Sequence, residues 1–157
     1  MQTYSPQAEE LKPKANASTK LRILLVDDIQ NFPEVAKQCL EIEANFLVET
    51  ANSVKEAKEK MVENKFDLII SEFELPQKDG LDFLKELRGK NDETPFILLT
   101  FKGQEEIATE ALNVGSFGFV KKQTNPEIVY KELSDKINIL VKRQKTRSSY
   151  KEESFRI

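Results

Sequence analysis

Five short apolar runs, each followed by a stretch with helical spacing, constrain the fold of this chain more than any other feature. The first, Leu21-Arg-Ile-Leu-Leu-Val26, ends at Asp27-Asp28, and the later runs are Phe46 to Ala51, Leu68 to Ser71, Phe96 to Thr100 and Phe117 to Val120. Short apolar runs without strict alternation read as strands covered on both faces. Between them lie helical stripes: Val35, Ala36, Cys39, Leu40 and Ile42; Val54 to Glu63; Leu81, Leu84 and Leu87; Ile107, Ala108, Ala111, Leu112 and Val114. Ser53 is placed as an N-cap with Glu56 as its capping-box partner, Gly115 as a C-terminal cap, and Pro126 in the tolerated first turn of the last helix. In that helix the core stripe is expected to hold Ile128, Val129, Leu133 and Ile137, with Tyr130, Ile139 and Val141 outside it.

Strands that alternate with helices, with no internal repeat, predict an α/β fold whose parallel sheet carries helices on both faces. The matching form is a flavodoxin-like (βα)5 doubly wound sheet with strand order 2-1-3-4-5, in which functional groups gather at the carboxyl ends of the strands. A length of 157 residues suits one domain. The predicted organisation is a disordered N-terminal arm over 1–20, a folded domain over 21–141 and a basic, flexible tail over 142–157. The net charge of −3 argues against a general nucleic-acid binder, which needs a basic field. The single cysteine, Cys39, excludes an internal disulfide framework and reads as core. No apolar stretch approaches the roughly 20 residues that span a bilayer, so no membrane is expected and the default location is the cytoplasm. The chain has no histidine, which removes a phosphohistidine and an imidazole base, and it is not expected to be an enzyme.

The third run leads into Phe66-Asp-Leu-Ile-Ile-Ser-Glu-Phe-Glu-Leu-Pro-Gln-Lys-Asp-Gly80, in which a strand ends at the carboxylate Glu72 and the chain turns through Pro76 and Asp79-Gly80 into a helix. Four strand ends therefore carry polar groups: Asp27 and Asp28, Glu72, Thr100, and Lys122. Taken in order, this set resembles the receiver domain of two-component response regulators from about Leu21 to Val141. The resemblance implies an acidic pair at Asp27-Asp28, an acceptor position at Glu72, a hydroxyl residue at Thr100, a switch aromatic at Phe119 and a lysine at Lys122 that pairs with acceptor or phosphoryl oxygens. It also implies weak Mg²⁺ binding by Asp27, Asp28, Glu72 and the backbone carbonyl of Glu74.

Three departures from that family pattern decide the functional expectation. Receivers carry aspartate where this chain has Glu72; the added methylene carries the carboxylate further, whereas nucleophilic attack needs reacting atoms about 3–3.5 Å apart and aligned. The longer carboxylate would instead take part of the phosphoryl space, with one charge against about −1.5 to −2 for a phosphoryl group. Phe101 stands where a small residue usually leaves the pocket open, and Gln123 replaces the proline that usually follows the lysine. A cis Lys122-Gln123 bond would cost about 2.5–4 kcal/mol, so a rebuilt loop or retained strain is expected.

The resulting expectation is a stand-alone receiver protein with impaired phosphorylation that signals by protein contact. The alternative is a phosphorylation-independent interaction module, a pseudo-receiver with no switching function. An ion pair between Glu74 and Lys102 is expected at the pocket rim. Partner or homodimer contact is expected on the face of the fourth helix, fifth strand and fifth helix (Glu105 to Val114, Phe117 to Lys121, Pro126 to Val141), with a sensor histidine kinase as a further partner. Ser71 is expected to point away from the pocket, because strand side chains alternate. A flavodoxin is disfavoured, since Asp27-Asp28 would repel phosphate where a Ser/Thr/Gly-rich cradle belongs, and a haloacid-dehalogenase-type phosphatase wants Asp-x-Asp, which Asp27-Asp28-Ile29 does not supply.

Overall fold

Leu24 and Leu25 are both fully buried although they are adjacent, which requires cover on both faces of their strand. The computed structural model describes residues 20–29, 32–43, 46–101 and 103–155 and supplies that cover. The elements run β1 (Leu21–Val26), α1 (Phe32–Glu43), β2 (Phe46–Ala51), α2 (Val54–Glu63), β3 (Leu68–Glu72), α3 (Gly80–Gly89), β4 (Phe96–Thr100), α4 (Glu105–Val114), β5 (Gly118–Lys121) and α5 (Pro126–Phe155). All strand pairings are parallel, in the order β2-β1-β3-β4-β5. The doubly wound, flavodoxin-like architecture is the one the alternation predicts.

Side-chain alternation divides the core between two layers. On one face Ile23, Leu25, Ile70, Leu99 and Val120 pack against Ala36 and Leu40 of α1 and Val129, Leu133 and Ile137 of α5. On the other, Leu24, Val26, Ile69 and Leu98 pack against Val54 and Ala57 of α2, Leu84 of α3 and Ala111 of α4. Local chemistry sets the helix ends. The Ser53 hydroxyl accepts from the Glu56 N–H at 3.1 Å, and the Asp79 carboxylate accepts from the Asp82 N–H at 2.8 Å. Gly115 closes α4 with φ 118°, a left-handed conformation that glycine adopts without steric cost.

Several expectations shift in phase or extent. Val35 and Ile42 are exposed, because α1 presents Phe32, Ala36 and Leu40 to the sheet instead. Leu112 of α4 is exposed as well. In α5, Ile128 is exposed and Tyr130 buried, so the core stripe is Val129, Tyr130, Leu133, Ile137 and Leu140. Ile139 lies outside the stripe as expected, whereas Val141 packs partly against the core. The strand placed at Phe117 to Val120 begins one residue later, at Gly118.

The largest difference is at the carboxyl end. Where a flexible tail was expected over 142–157, α5 continues as helix to Phe155. Neither glycine nor proline follows Pro126, and Lys, Arg, Glu and Gln are good helix formers, so nothing local stops the helix. The expected N-terminal arm and Lys102 lie outside the described residues, apart from Lys20.

Candidate functional site

Strand register brings the polar strand ends to one place. Val26 pairs with Ser71, so Asp27 and Glu72 stand level on neighbouring strands, and both have the parity of Leu25 and Ile70, on the α1 and α5 side of the sheet. Lys122 has the parity of Val120 and emerges on that same face. Its N–H donates to the Thr100 carbonyl at 2.7 Å, which ties the start of the β5–α5 loop to β4.

The three side chains meet in the interior. Asp27 and Glu72 are fully buried, and the Lys122 ammonium lies 2.5 Å from Asp27 Oδ2 and 2.9 Å from Glu72 Oε2. Asp27 Oδ1 also accepts from the Ile29 N–H at 2.9 Å. Glu72 is less well satisfied. Its Oε1 receives only a long 3.4 Å contact from the Glu74 N–H, and its Oε2 meets the ammonium as a charge contact without hydrogen-bond alignment. Burial is therefore the dominant influence on this carboxyl and pushes its pKa up to about 6, against the lowering effect of Lys122. Burial raises Asp27 too, again opposed by Lys122. Two buried carboxylates share one ammonium, an arrangement that holds together only while the cation is in place.

Aromatic rings complete the enclosure. The Lys122 ammonium is 4.0 Å from the centroid of the Phe32 ring and 5.2 Å from that of Phe101. Gln104 holds the Phe101 segment: its Oε1 accepts from the Phe101 N–H at 2.6 Å while its Nε2 donates to Glu74 Oε1 at 3.1 Å. Glu74 thus has Gln104 as its partner, and the anticipated Glu74–Lys102 pair falls on a residue outside the description. The Lys122-Gln123 peptide is trans.

The remaining candidates divide. Thr100 is buried, with the parity of Leu98, and Phe119 is half-buried against the α3 and α4 side, so these two belong to the opposite face from Glu72. Ser71 is fully buried on that opposite face, and its hydroxyl donates to the Glu72 carbonyl at 3.0 Å. Asp28 is exposed, and among the described residues no three acidic, cysteine or histidine side chains converge on a point that would hold a metal. The expected set of Asp27, Asp28, Glu72 and Glu74 therefore does not fit Mg²⁺ as it stands, because its two buried members face Lys122 and a hard divalent ion wants about six oxygens.

Phe32 and Gln104 are the two site residues that the sequence reading passed over. Phe32 leaves a weak trace, an aromatic residue four positions beyond Asp28 at a helix start. Gln104 leaves none.

Comparison with known proteins bears on the fold and the family. The family model described as the response regulator receiver domain matches residues 23–134. The response regulator SaeR of Staphylococcus aureus is 34% identical over 123 residues, which cover 78% of this chain and 51% of SaeR. The chain spans about half the length of the curated relatives it matches. Among solved structures, a response regulator receiver domain protein from Clostridium thermocellum superposes with a TM-score of 0.71 at 29% identity, covering 80% of this chain and 98% of that one. The chemotaxis response regulator CheY4 of Vibrio cholerae does so with a TM-score of 0.65 at 32% identity, covering 75% and 99% respectively.

Proposed function

This chain belongs to the response regulator receiver domain family of two-component signalling, and from that membership and its occupied pocket we propose that it is a receiver in which phosphotransfer is impaired and the signal passes by protein contact. Receiver domains are signalling modules. The observation that carries the finer reading is the Lys122 ammonium bridging Asp27 and Glu72 inside a site where both carboxylates are fully buried.

Phosphoryl transfer to a carboxylate needs a free oxygen in line with the donor at about 3–3.5 Å. Glu72 Oε2 faces the ammonium, Oε1 faces the Glu74 amide, and Phe101 lies over the lysine. A donor would have to displace Lys122 and turn Phe101 aside before meeting the acceptor oxygen. Glu72 then serves as a constant negative partner for Lys122. Contact with a partner or with a second copy falls to the face of α4, β5 and α5, and a sensor histidine kinase is a further partner. Exposed Leu112 and Ile128 on α4 and α5 supply apolar surface there. A pseudo-receiver that never switches is the second reading, favoured by the Phe101 cover.

The test is intact mass after incubation with acetyl phosphate and Mg²⁺. The wild-type chain is expected to gain no phosphoryl group, and Glu72→Asp is expected to gain one with a shift in partner affinity. An adduct on the wild type overturns the impairment. Equal partner affinity for the glutamate, aspartate and alanine forms, with and without phosphodonor, selects the pseudo-receiver.

A further inference from the structure

We propose that Lys122 is the resident cation of this pocket, clamped by Phe32 and Phe101 against Asp27 and Glu72 in the charge-neutralising role of a divalent ion, and that it keeps such an ion out. The inference rests on the reading of Glu72 as a permanent partner of the lysine. It adds positioning roles for Phe32 and Phe101 and a consequence for metal selectivity.

An ammonium stripped of water is unstable unless other groups replace its hydration shell. The Lys122 side chain is only 6% exposed, and four groups surround its charge: carboxylates at 2.5 and 2.9 Å, and rings centred at 4.0 and 5.2 Å. Both rings lie within the roughly 6 Å over which an aromatic face attracts a cation, and the attraction is larger in a desolvated site than at a surface. The carboxylates alone would leave one side of the ammonium against apolar surface; the rings turn that side into an attractive wall.

Each ring is held from behind. Phe32 is the first residue of α1, and its ring packs 6.0 Å from that of Tyr130, which is buried in the α5 stripe. Phe101 is anchored through its backbone N–H to Gln104. The clamp therefore joins the start of α1, the β4–α4 loop and α5 around a single charge. A divalent ion entering the site would have to take Asp27 and Glu72 from Lys122 and then sit beside a displaced ammonium that the rings confine. Like charges at contact distance in a partly desolvated site repel strongly. The site accordingly opposes metal binding even though it keeps buried carboxylates.

The experiment uses Mn²⁺ as the probe and the full chain, read by paramagnetic broadening of backbone amide signals. In the wild type the amides of Asp27, Glu72 and Glu74 are expected to remain sharp; in Lys122→Met they are expected to broaden, with Mn²⁺ affinity at least about tenfold tighter, as removal of one adjacent like charge implies. Broadening in the wild type comparable to that in Lys122→Met overturns the proposal, as does a folded Lys122→Met that binds no Mn²⁺.

Should that variant fail to fold, the clamp is read in the wild type and in Phe32→Leu, which keeps an apolar side chain at position 32. The wild-type Lys122 ε-methylene protons are expected to resonate upfield of ordinary lysine because they lie near the ring face, and Phe32→Leu to lose that shift. Unshifted Lys122 signals in the wild type overturn the clamp. A phosphoryl adduct on the wild type contradicts the impaired-phosphotransfer reading, whereas Mn²⁺ broadening contradicts the clamp, so the two failures are distinguishable.

Discussion

Gly80, the first residue of α3, packs against the backbone carbonyl of Glu72, so closely that a Cβ at position 80 would stand 2.3 Å from that oxygen. The Gly80 N–H also donates to the Phe73 carbonyl at 2.8 Å, which pins the start of α3 to the end of β3. Because the conflicting atom is backbone, it cannot swing away as a side chain would. Gly80→Ala is expected to lower stability by about 1–3 kcal/mol, the usual cost of forcing extra volume into packed structure. Urea unfolding measures this, and the same variant should shift the Glu72 and Lys122 signals in NMR.

A second outcome concerns pH. Burial raises the Glu72 carboxyl from 4.5 to about 6, so the folded state holds this proton more tightly than the unfolded chain does. The contribution of Glu72 to stability is therefore greatest below about 4.5 and falls as pH rises through 6, by about 2 kcal/mol at most. Glu72→Gln removes the titration. The stability difference between wild type and Glu72→Gln, followed by urea unfolding from pH 4.5 to 7.5, should move against the wild type as pH rises; a flat difference contradicts the buried placement of Glu72.

Glu86 provides the opposite sign. Lys58, Lys78 and Lys90 all pair with it, joining α2 and the β3–α3 loop to α3, and these partners depress its pKa to about 2. Its stabilising contribution is present above about 4.5 and is lost as pH falls toward 2. The lysines are partly exposed, so each pair is worth about 0–1 kcal/mol. Glu86→Gln should cost a small amount at pH 7 in low salt, and the cost should shrink in 1 M salt, where screening acts over about 3 Å. Thermal unfolding at the two salt concentrations checks this.

The sheet was readable in advance because its strands are buried on both faces, and pairs such as Leu24-Leu25 and Ile69-Ile70 carry that requirement openly. Once the strand order follows, the meeting of Asp27, Glu72 and Lys122 follows too. The helix faces were harder. Val129 and Tyr130 face the core although Ile128 and Val129 satisfy the helical period equally well, because adjacent apolar residues admit two phases and only the position of the sheet chooses between them. The length of α5 left no trace in apolar periodicity, since residues 142–147 are exposed and polar. Phe32 was missed because its partner is 90 residues away and the contact depends on how α1 packs beside the β5–α5 loop. Lys122 was legible as a partner for the acceptor carboxylate, but its second contact, to Asp27, was not, because it depends on where the β5–α5 loop sets the ammonium between two strands.

The most direct measurement of the central claim, that Lys122 occupies Glu72 and closes the acceptor site, is ¹⁹F NMR of the unmodified chain with beryllofluoride and Mg²⁺, recorded beside an amide spectrum. Beryllofluoride needs a free acceptor carboxylate oxygen. The wild type is expected to show no bound fluorine signal and no movement of the Thr100, Phe119 and Lys122 amides, with a bound signal appearing in Glu72→Asp. A bound signal on the wild type, accompanied by shifts at those three residues, contradicts the claim.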